Sequence, residues 1–322
     1  MADPTLVEAL NATLRAELQR DERIVLLGED IGALGGLFGA TAGLLEEFGA
    51  QRVIETPAAE GGLVGTAVGL AMYGMRPVAE VQFADLSLSG LEQMASEMAK
   101  LRYRSAGQYS CPLVLRVPYG AGVGGGMDQS ASPEAHFCHL PGVAVMAPAD
   151  AADAAGMLRG ALRGVDPVIF LEPKRLYRAG QAPVDDQVVP AGEARLRREG
   201  ADVTVVTYGG MVPTVVEAAE SASSLGIQVD VLDLRTLVPF DIGALLKSIA
   251  KTGRAVLVSE SPRTGGFTAE LAATLAQRAI LHLEAPVERV SGFDTPVPYA
   301  HEDLYLPDVD RITAAIARVA NF

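Results

Sequence analysis

The amino-terminal segment has the polar and apolar spacing of an amphipathic helix. Between residues 5 and 20 a leucine recurs at every fourth position, which places the leucines on one face of a helix, at Leu6, Leu10, Leu14 and Leu18. Thr5 and Glu8 stand three residues apart at the start of this run, as the two partners of a capping box do. We therefore predict a helix that begins at Thr5 and ends at Arg20.

Short apolar runs then alternate with helical segments. Runs without polar alternation are typical of parallel strands that are buried on both faces, and their alternation with helices predicts an α/β fold. In the first half of the chain, strands are predicted at residues 24–27, 52–55, 78–83, 113–117, 143–146 and 168–171. Helices are predicted at residues 60–73, 88–103 and 151–163.

This alternation is interrupted once and then resumes. Residues 174–200 lack clear periodicity and contain prolines and several charges, which indicates a linker. Beyond it, strands are predicted at residues 203–208, 228–232 and 255–259, and helices at 213–225, 241–251, 266–281 and 308–319. We predict two parallel-sheet-based α/β domains, at residues 1–180 and 201–322, joined by a linker at residues 181–200.

Composition limits the partners and the cellular compartment that we expect for this protein. The net charge of −14 would repel phosphate backbones, so we expect no nucleic-acid partner. Two cysteines in 322 residues, without metal-ligand spacing, indicate a reducing cytoplasm. Residues 1–10 lack the regions of a signal peptide, and the most apolar helix, at residues 61–75, is too short and glycine-rich to span a bilayer. We expect a cytoplasmic protein without a membrane segment.

Glu60 is the first candidate for chemistry. It stands where the strand at residues 52–55 passes into the helix at residues 60–73. Such junctions, at the carboxyl ends of parallel strands, are where α/β sheets bind ligands. A carboxylate in the first turn also interacts favourably with the helix dipole. Its spacing alone therefore allows either a site residue or an ordinary helix-start residue.

Three further patterns each allow two interpretations. In the helix that Glu60 starts, a glycine recurs every four residues, at Gly61, Gly65 and Gly69. This spacing suits either a close subunit contact or ordinary helix–sheet packing. The run YGAGVGGGMD at residues 119–128 could cradle phosphate, although it lacks the phosphate-loop pattern, or form a mobile active-site loop. His136 and His139 have a metal-ligand spacing, but no further ligand is near, so we expect structural histidines.

Longer motifs spread over nearly the whole chain indicate a family. In order, they are VIETPAAEGGLVGTAVGLAMYGMRPVAEVQFAD, AKLRYRSAGQ, SPEAHFCHLPG, DPVIFLEPKRLYR, VLDLRTLVPFD, KTGRAVLVSE and GFDTPVPYAHEDLYLP. Together they resemble the β subunit of the thiamine-diphosphate-dependent decarboxylating component of 2-oxo acid dehydrogenase complexes, of the branched-chain and pyruvate type. The resemblance implies a transketolase-like pyrimidine-binding domain, a transketolase C-terminal-like domain and an α2β2 assembly.

The resemblance also assigns the cofactor. Glu60 matches the glutamate that binds N1′ of the thiamine aminopyrimidine, whose 4′-amino group must become an imine to take the proton from thiazolium C2. Apolar neighbours such as Leu63 and Val64 would favour a shared proton. Gln82 and Leu86 fall in the cofactor pocket. The Gly-Asp-Gly and Asn-Asn motifs that hold the diphosphate and its Mg²⁺ in such families are missing from this chain, so the resemblance implies that an α subunit carries them.

A potassium site is implied as well. In the family it is built largely from backbone carbonyls, and it maps to Leu113, Val114, Ala161, Gly164 and Asp166. Gly164 and Asp166 replace the aspartate and asparagine usual in the family. Carbonyl ligation survives substitution of side chains, so we predict K⁺ there.

Two departures from the family pattern bear on the reaction. Leu86 follows the FAD triplet where an aromatic residue usually packs on the aminopyrimidine. Gln129 takes the place of a histidine that contacts substrate or aids acyl transfer, and glutamine cannot carry a proton near neutral pH. We therefore take Glu60 and Gln129 as the candidate catalytic residues and expect altered acyl-transfer chemistry.

Our main hypothesis is oxidative decarboxylation of a 2-oxo acid, with the acyl group passed to a lipoyl-bearing acyltransferase. Leu86 and Gln129 motivate a rival, a transketolase-like transfer of a two-carbon ketol or hydroxyacyl group. A third hypothesis is a non-catalytic β-like scaffold, against which the retained Glu60 argues.

Overall fold

The first predicted helix is present and is capped as expected. A computed structural model describes residues 3–322, and its helix α1 covers Leu6–Arg20. The Thr5 hydroxyl accepts a hydrogen bond from the Glu8 N–H, while the Glu8 carboxylate accepts one from the Thr5 N–H at 2.8 Å. The four leucines of its apolar face are all buried. The capping box and the amphipathic helix are confirmed.

Two sheets form the core, as the strand pattern predicted. The strands of the first half are β1 (Ile24–Gly28), β2 (Val53–Glu55), β3 (Arg76–Glu80), β4 (Val114–Tyr119), β5 (Ala144–Met146) and β6 (Val168–Pro173). Those of the second half are β7 (Arg195–Arg198), β8 (Val203–Thr207), β9 (Val229–Asp233), β10 (Thr236–Val238), β11 (Ala255–Pro262) and β12 (Glu288–Gly292). The sheet orders are β10-β5-β6-β4-β3-β1-β2 and β12-β11-β8-β9-β7, and most neighbours are parallel.

Helices cover the sheets, so the α/β class is confirmed. After α1 they are α2 (Leu44–Phe48), α3 (Glu60–Met72), α4 (Ala84–Ser87), α5 (Leu91–Gln93), α6 (Leu101–Arg104), α7 (Glu134–Cys138) and α8 (Ala151–Arg163). The second half adds α9 (Val212–Ser223), α10 (Ile242–Thr252), α11 (Phe267–Arg278), α12 (Glu302–Tyr305) and α13 (Val309–Ala320). No helix within residues 3–322 is both long enough and apolar enough to cross a membrane.

The two halves are joined more closely than a linker alone would join them. Strand β7 lies inside the segment predicted as a linker and pairs antiparallel with β9. Strand β10 leaves the second half and pairs antiparallel with β5 of the first sheet. Arg197 of β7 adds ion pairs to Asp150 at 2.5 Å and to Asp233 at 2.7 Å, and so ties the start of α8 to the second sheet. The boundaries of the two domains stay predictions.

The helix predicted at residues 88–103 is wrong as a single element. The structure breaks residues 84–104 into α4, a 3₁₀ turn, α5, a π-helical turn at Met94–Met98 and α6. Gly90 ends the 3₁₀ turn just before α5, and glycine is a poor helix former. A Cβ atom on Gly90 would lie 3.2 Å from the carbonyl oxygen of Glu60. The glycine therefore lets this segment pack directly against the start of α3.

Candidate active site

Polar residues gather where three neighbouring strands of the first sheet end. Asp30 follows β1, Glu55 ends β2, and Gln82 follows β3, while Glu60 opens α3 just after β2. Since these strands are parallel and adjacent, their carboxyl ends lie on one edge of the sheet. This edge is where ligands bind in α/β sheets, so the structure places Glu60 and Gln82 in a candidate site.

Glu60 is held in place by the fold of its neighbours. It is the first residue of α3 and only 9% exposed, with Leu63 and Val64 buried beside it. The Ser89 hydroxyl donates a hydrogen bond to Glu60 Oε2 at 3.3 Å. In the part of the chain that the structure describes, no other side chain is hydrogen-bonded to this carboxylate, so Oε1 is available to a ligand.

The carboxylates around Glu60 influence one another. Burial raises the pKa of Glu29, and the negative charges of Asp30, Glu60 and Glu55 raise it further. The amide of Gln82 donates to Asp30 Oδ2 at 3.1 Å, so the Gln82 side chain faces this acidic group. A site with this charge favours a ligand that brings protons or hydrogen-bond donors.

Beneath this edge lies a buried ion-pair network that the sequence did not reveal. Arg116 is 1% exposed and binds Glu172 through two hydrogen bonds, of 2.7 and 2.8 Å, and also pairs with Glu80. Tyr177 donates to Glu172 at 2.5 Å. Burial raises the pKa of Glu80, although the charge of Arg116 opposes that shift. Glu80 ends β3, two residues before Gln82, so the network fixes the strand end that carries the site.

The segment that begins at Phe83 connects Glu60 with the glycine-rich run. Leu86, on α4, is 39% exposed and leaves its side chain free for contact with a ligand or a partner. Asp85 Oδ2 accepts a hydrogen bond from the Ala131 N–H at 3.2 Å. Ser89 of the same segment donates a hydrogen bond to Glu60, so the segment contacts both Glu60 and the residues that follow the glycine-rich run.

Lys174 is a site residue that the sequence analysis missed. Its side chain is 2% exposed, its ammonium group lies 5.3 Å from the centre of the Phe83 ring, and it donates a hydrogen bond to the carbonyl oxygen of Gln129. Burial lowers the pKa of Lys174. The signal was present in EPKRLYR, but a lysine next to an arginine is usually a surface residue.

Gln129 lies at the end of the glycine-rich run, and its side chain is exposed. Its neighbours are held by a residue from the other half of the chain. Glu302 accepts hydrogen bonds from the N–H groups of Gly122 at 2.8 Å, Gly124 at 3.0 Å and Gly126 at 2.9 Å, and from the Ser130 hydroxyl at 2.9 Å. Burial alone would raise the pKa of Glu302, but these donors bring it below its usual range. The glycine-rich run therefore binds a carboxylate of the protein itself. This arrangement differs from both interpretations of the sequence, a phosphate cradle and a mobile loop.

The residues predicted to bind potassium lie away from Glu60. Leu113 and Val114 lie at the start of β4, Ala161 lies in the last turn of α8, and Gly164 and Asp166 follow that helix, so these residues occupy the opposite edge of the sheet. The carbonyl of Leu113 accepts from the Val168 N–H at 2.9 Å, and that of Ala161 from the Gly164 N–H at 3.2 Å. The guanidinium of Arg76 donates to the Gly164 carbonyl.

Among the predicted ligands, the Gly164 carbonyl faces the guanidinium of Arg76, whereas the Leu113 and Ala161 carbonyls accept backbone N–H groups. The Asp166 side chain instead pairs with Arg102. Within residues 3–322, no group of three or more His, Cys, Asp or Glu side chains is placed to hold a metal ion. A potassium site made of backbone oxygens stays a prediction.

His136 and His139 line a cavity of about 660 Å³ between the two halves of the chain. Both side chains are exposed. The opposite wall carries residues of the second half, among them Ser261, Gly266 and Tyr305. The cavity is also lined by Leu88, which belongs to the segment that contacts Glu60, so the two histidines line a cavity that borders the candidate site.

Comparison with known proteins identifies the family. Residues 2–180 match the family described as "Transketolase, pyrimidine binding domain", and residues 192–312 match "Transketolase, C-terminal domain". The 2-oxoisovalerate dehydrogenase subunit beta of Bacillus subtilis (strain 168) is 44% identical over 327 residues, which cover 100% of both chains. The chain belongs to the β-subunit family of 2-oxo acid dehydrogenases. The family expectation is confirmed.

Other relatives of this β subunit agree. The pyruvate dehydrogenase E1 component subunit beta of Leifsonia xyli subsp. xyli (strain CTCB07) is 45% identical over 97% of this chain and 94% of its own. A solved structure titled "Split gene transketolase, inactive beta4 tetramer" superposes with a TM-score of 0.82 at 25% identity and covers 99% of both chains. A transketolase from Pichia stipitis, 14% identical, shares the fold over 46% of its length with a TM-score of 0.71.

Proposed function

We propose that this chain is the pyrimidine-binding half of a thiamine-diphosphate-dependent 2-oxo acid dehydrogenase and is active only with an α subunit. The observation that carries the proposal is Glu60: a buried carboxylate at the start of α3, with Oε1 open to a ligand, in a chain that matches dehydrogenase β subunits over its whole length. The names of these relatives support 2-oxo acid decarboxylation over two-carbon transfer and over a scaffold role.

The residues of this chain fit the aminopyrimidine end of the cofactor. Glu60 would share a proton with N1′, and its burial beside Leu63 strengthens that hydrogen bond. Leu86 would provide an apolar contact for the ring, and Gln82 would lie at its polar edge, next to Asp30. When bound, thiamine diphosphate supplies the electron sink that decarboxylation requires.

An α subunit would complete the site. The chain lacks the Gly-Asp-Gly and Asn-Asn motifs, so the partner would hold the diphosphate and Mg²⁺ in an α2β2 assembly. Exposed apolar side chains suit such a contact: Leu86 and Leu88, in the segment that contacts Glu60, and Met127, in the glycine-rich run, are 39%, 41% and 63% exposed. The split-gene transketolase neighbour, whose title calls its beta4 tetramer inactive, supports the idea that a β chain alone does not suffice. A lipoyl-bearing acyltransferase would then accept the acyl group.

Exchange of the thiazolium C2 proton tests the role of Glu60 directly. In the reconstituted pair, Glu60→Ala should slow this exchange by orders of magnitude, because formation of the imine loses its proton partner. The fold should survive, since a first-turn carboxylate typically contributes about 1 kcal/mol and at most about 2 kcal/mol when it is partly buried. Asp310→Ala, which removes an exposed first-turn carboxylate from α13, is the matched control. Wild-type exchange in the Glu60 variant, followed by NMR, would reduce Glu60 to a helix-start residue.

A further inference from the structure

The glycine-rich run has a backbone built to hold an anion. Gly120, Gly122, Gly124 and Gly126 all have positive φ angles, of 88°, 96°, 77° and 60°. Left-handed residues at alternating positions turn successive N–H groups toward one side, and concave sets of such groups bind anions. Here the N–H groups of Gly122, Gly124 and Gly126 converge on a single carboxylate, that of Glu302.

The anion comes from the second half of the chain. Glu302 opens the short helix α12 and is 8% exposed. Its two oxygens share four donors, two each, all between 2.8 and 3.0 Å. Hydrogen bonds to an ionised acceptor are about twice as strong as neutral ones, so the contact holds the run firmly.

The position of the Gln129 backbone depends on the hydrogen bonds that Glu302 accepts. Ser130, the residue after it, is the fourth donor to Glu302. Lys174 holds the Gln129 carbonyl, and Asp85 holds the N–H of Ala131. The backbone on both sides of Gln129 is therefore tied to charged side chains, and Glu302 makes most of those bonds.

We propose that Glu302 is a positioning residue for the active site: it is the built-in anion that holds the glycine-rich run and with it Gln129. This rests on the proposed function only insofar as Gln129 serves the reaction. A misplacement of about 1 Å in a reacting group costs about 10²-fold in rate. Loss of Glu302 should therefore lower kcat by about 10²-fold and change KM much less, because Glu302 contacts the loop and not the substrate.

An anion added to the solution should replace the missing carboxylate. A cavity of about 510 Å³ borders Glu302, Gly122 and Gly124, together with Arg175. Glu302→Ala removes the carboxylate but none of its donors, and this cavity gives an added anion access to them. Acetate should bind there and restore both the order of the loop and part of kcat, whereas chloride at equal ionic strength should not restore the bidentate contact.

The experiment uses three variants of the chain, each reconstituted with its α subunit. Glu302→Ala removes the carboxylate. Glu302→Gln keeps the shape but turns an NH₂ group toward the backbone N–H donors. Asp303→Ala removes the exposed neighbouring carboxylate and is the control. Amide hydrogen exchange of residues 119–130 is measured beside kcat and KM for a 2-oxo acid, with and without acetate.

We expect amide exchange in residues 119–130 to be at least tenfold faster than in the wild type in both Glu302 variants. In the Asp303→Ala control it should match the wild type. Acetate should reverse the acceleration only in Glu302→Ala. Unchanged exchange and a kcat within twofold of wild type would overturn the proposal, and so would a loss that acetate never restores. If Glu302→Ala does not fold, Glu302→Gln carries the hydrogen-exchange and kcat parts of the test, and the acetate criterion does not apply to it. Hydrogen exchange can be measured without turnover. A wild type without 2-oxo acid activity would therefore refute the proposed function, while the exchange data would still decide whether Glu302 holds the run.

Discussion

Glu134 should make the stability of this protein depend on pH. It lies in the SPEA motif and is completely buried. One carboxyl oxygen accepts a hydrogen bond from the Tyr208 hydroxyl at 2.6 Å, while the other has no hydrogen-bond partner among the described residues. Burial raises the pKa of Glu134 from 4.5 to about 7. Between about pH 4.5 and pH 7, the folded protein therefore keeps a proton on Glu134 that the unfolded chain releases.

The sign and size of the effect follow from this shift. A carboxyl group whose pKa is raised by folding contributes stability that is present below its unfolded pKa and is lost as the pH rises through the folded value. For Glu134 the window runs from about pH 4.5 to about pH 7. One pKa unit corresponds to about 1.4 kcal/mol, so the contribution across the window is about 3 kcal/mol at most.

Glu134→Gln isolates this contribution. The amide cannot ionise, it still accepts from Tyr208, and its NH₂ group replaces the oxygen that has no partner. We expect the variant to match the wild type near pH 4.5 and to gain up to about 3 kcal/mol over it by pH 8. Urea unfolding at each pH measures the difference, in which other titrating groups cancel. A difference that does not change between pH 4.5 and 8 would refute the reasoning.

Three further predictions follow from the contacts described above. Arg116→Met should destabilise the fold by about 3–5 kcal/mol in urea unfolding, because Glu80 and Glu172 lose their buried cation. Gln129→His should improve acyl transfer to a lipoyl domain by about 10²-fold or more, with decarboxylation assayed separately through an artificial electron acceptor; equal transfer rates would show that the replacement is neutral. Arg197→Met should lower the urea midpoint by unpairing aspartates between the two halves, whereas an exposed substitution such as Arg102→Met should not.

The parts of the fold that were predicted correctly depend on local pattern. The leucine spacing and the capping residues of α1 lie within a few positions of each other, so the sequence contains the whole signal. Buried parallel strands likewise show as apolar runs. The position of Glu60 at the start of α3 was predicted correctly because a strand-to-helix junction has a local signature, and its role in cofactor binding stays a prediction.

The elements that were missed depend on partners far away in the chain. Strand β10 has three residues and pairs with β5, some ninety positions earlier, so no local periodicity reveals it. Strand β7 is rich in arginine because its charges face aspartates of α8 and β9. Glu302 reaches Gly122 across 180 positions, and no spacing in the sequence signals that contact.

Binding of thiamine diphosphate, measured by calorimetry, tests the central claim most directly. In the proposed function the chain provides Glu60 for the pyrimidine ring and lacks the diphosphate motifs, so it should bind the cofactor weakly when alone, with or without Mg²⁺. Reconstitution with an α subunit should give tight, Mg²⁺-dependent binding, which Glu60→Ala weakens and Asp310→Ala does not. Tight, Mg²⁺-dependent binding by the isolated chain would contradict the claim that the site is shared between two subunits.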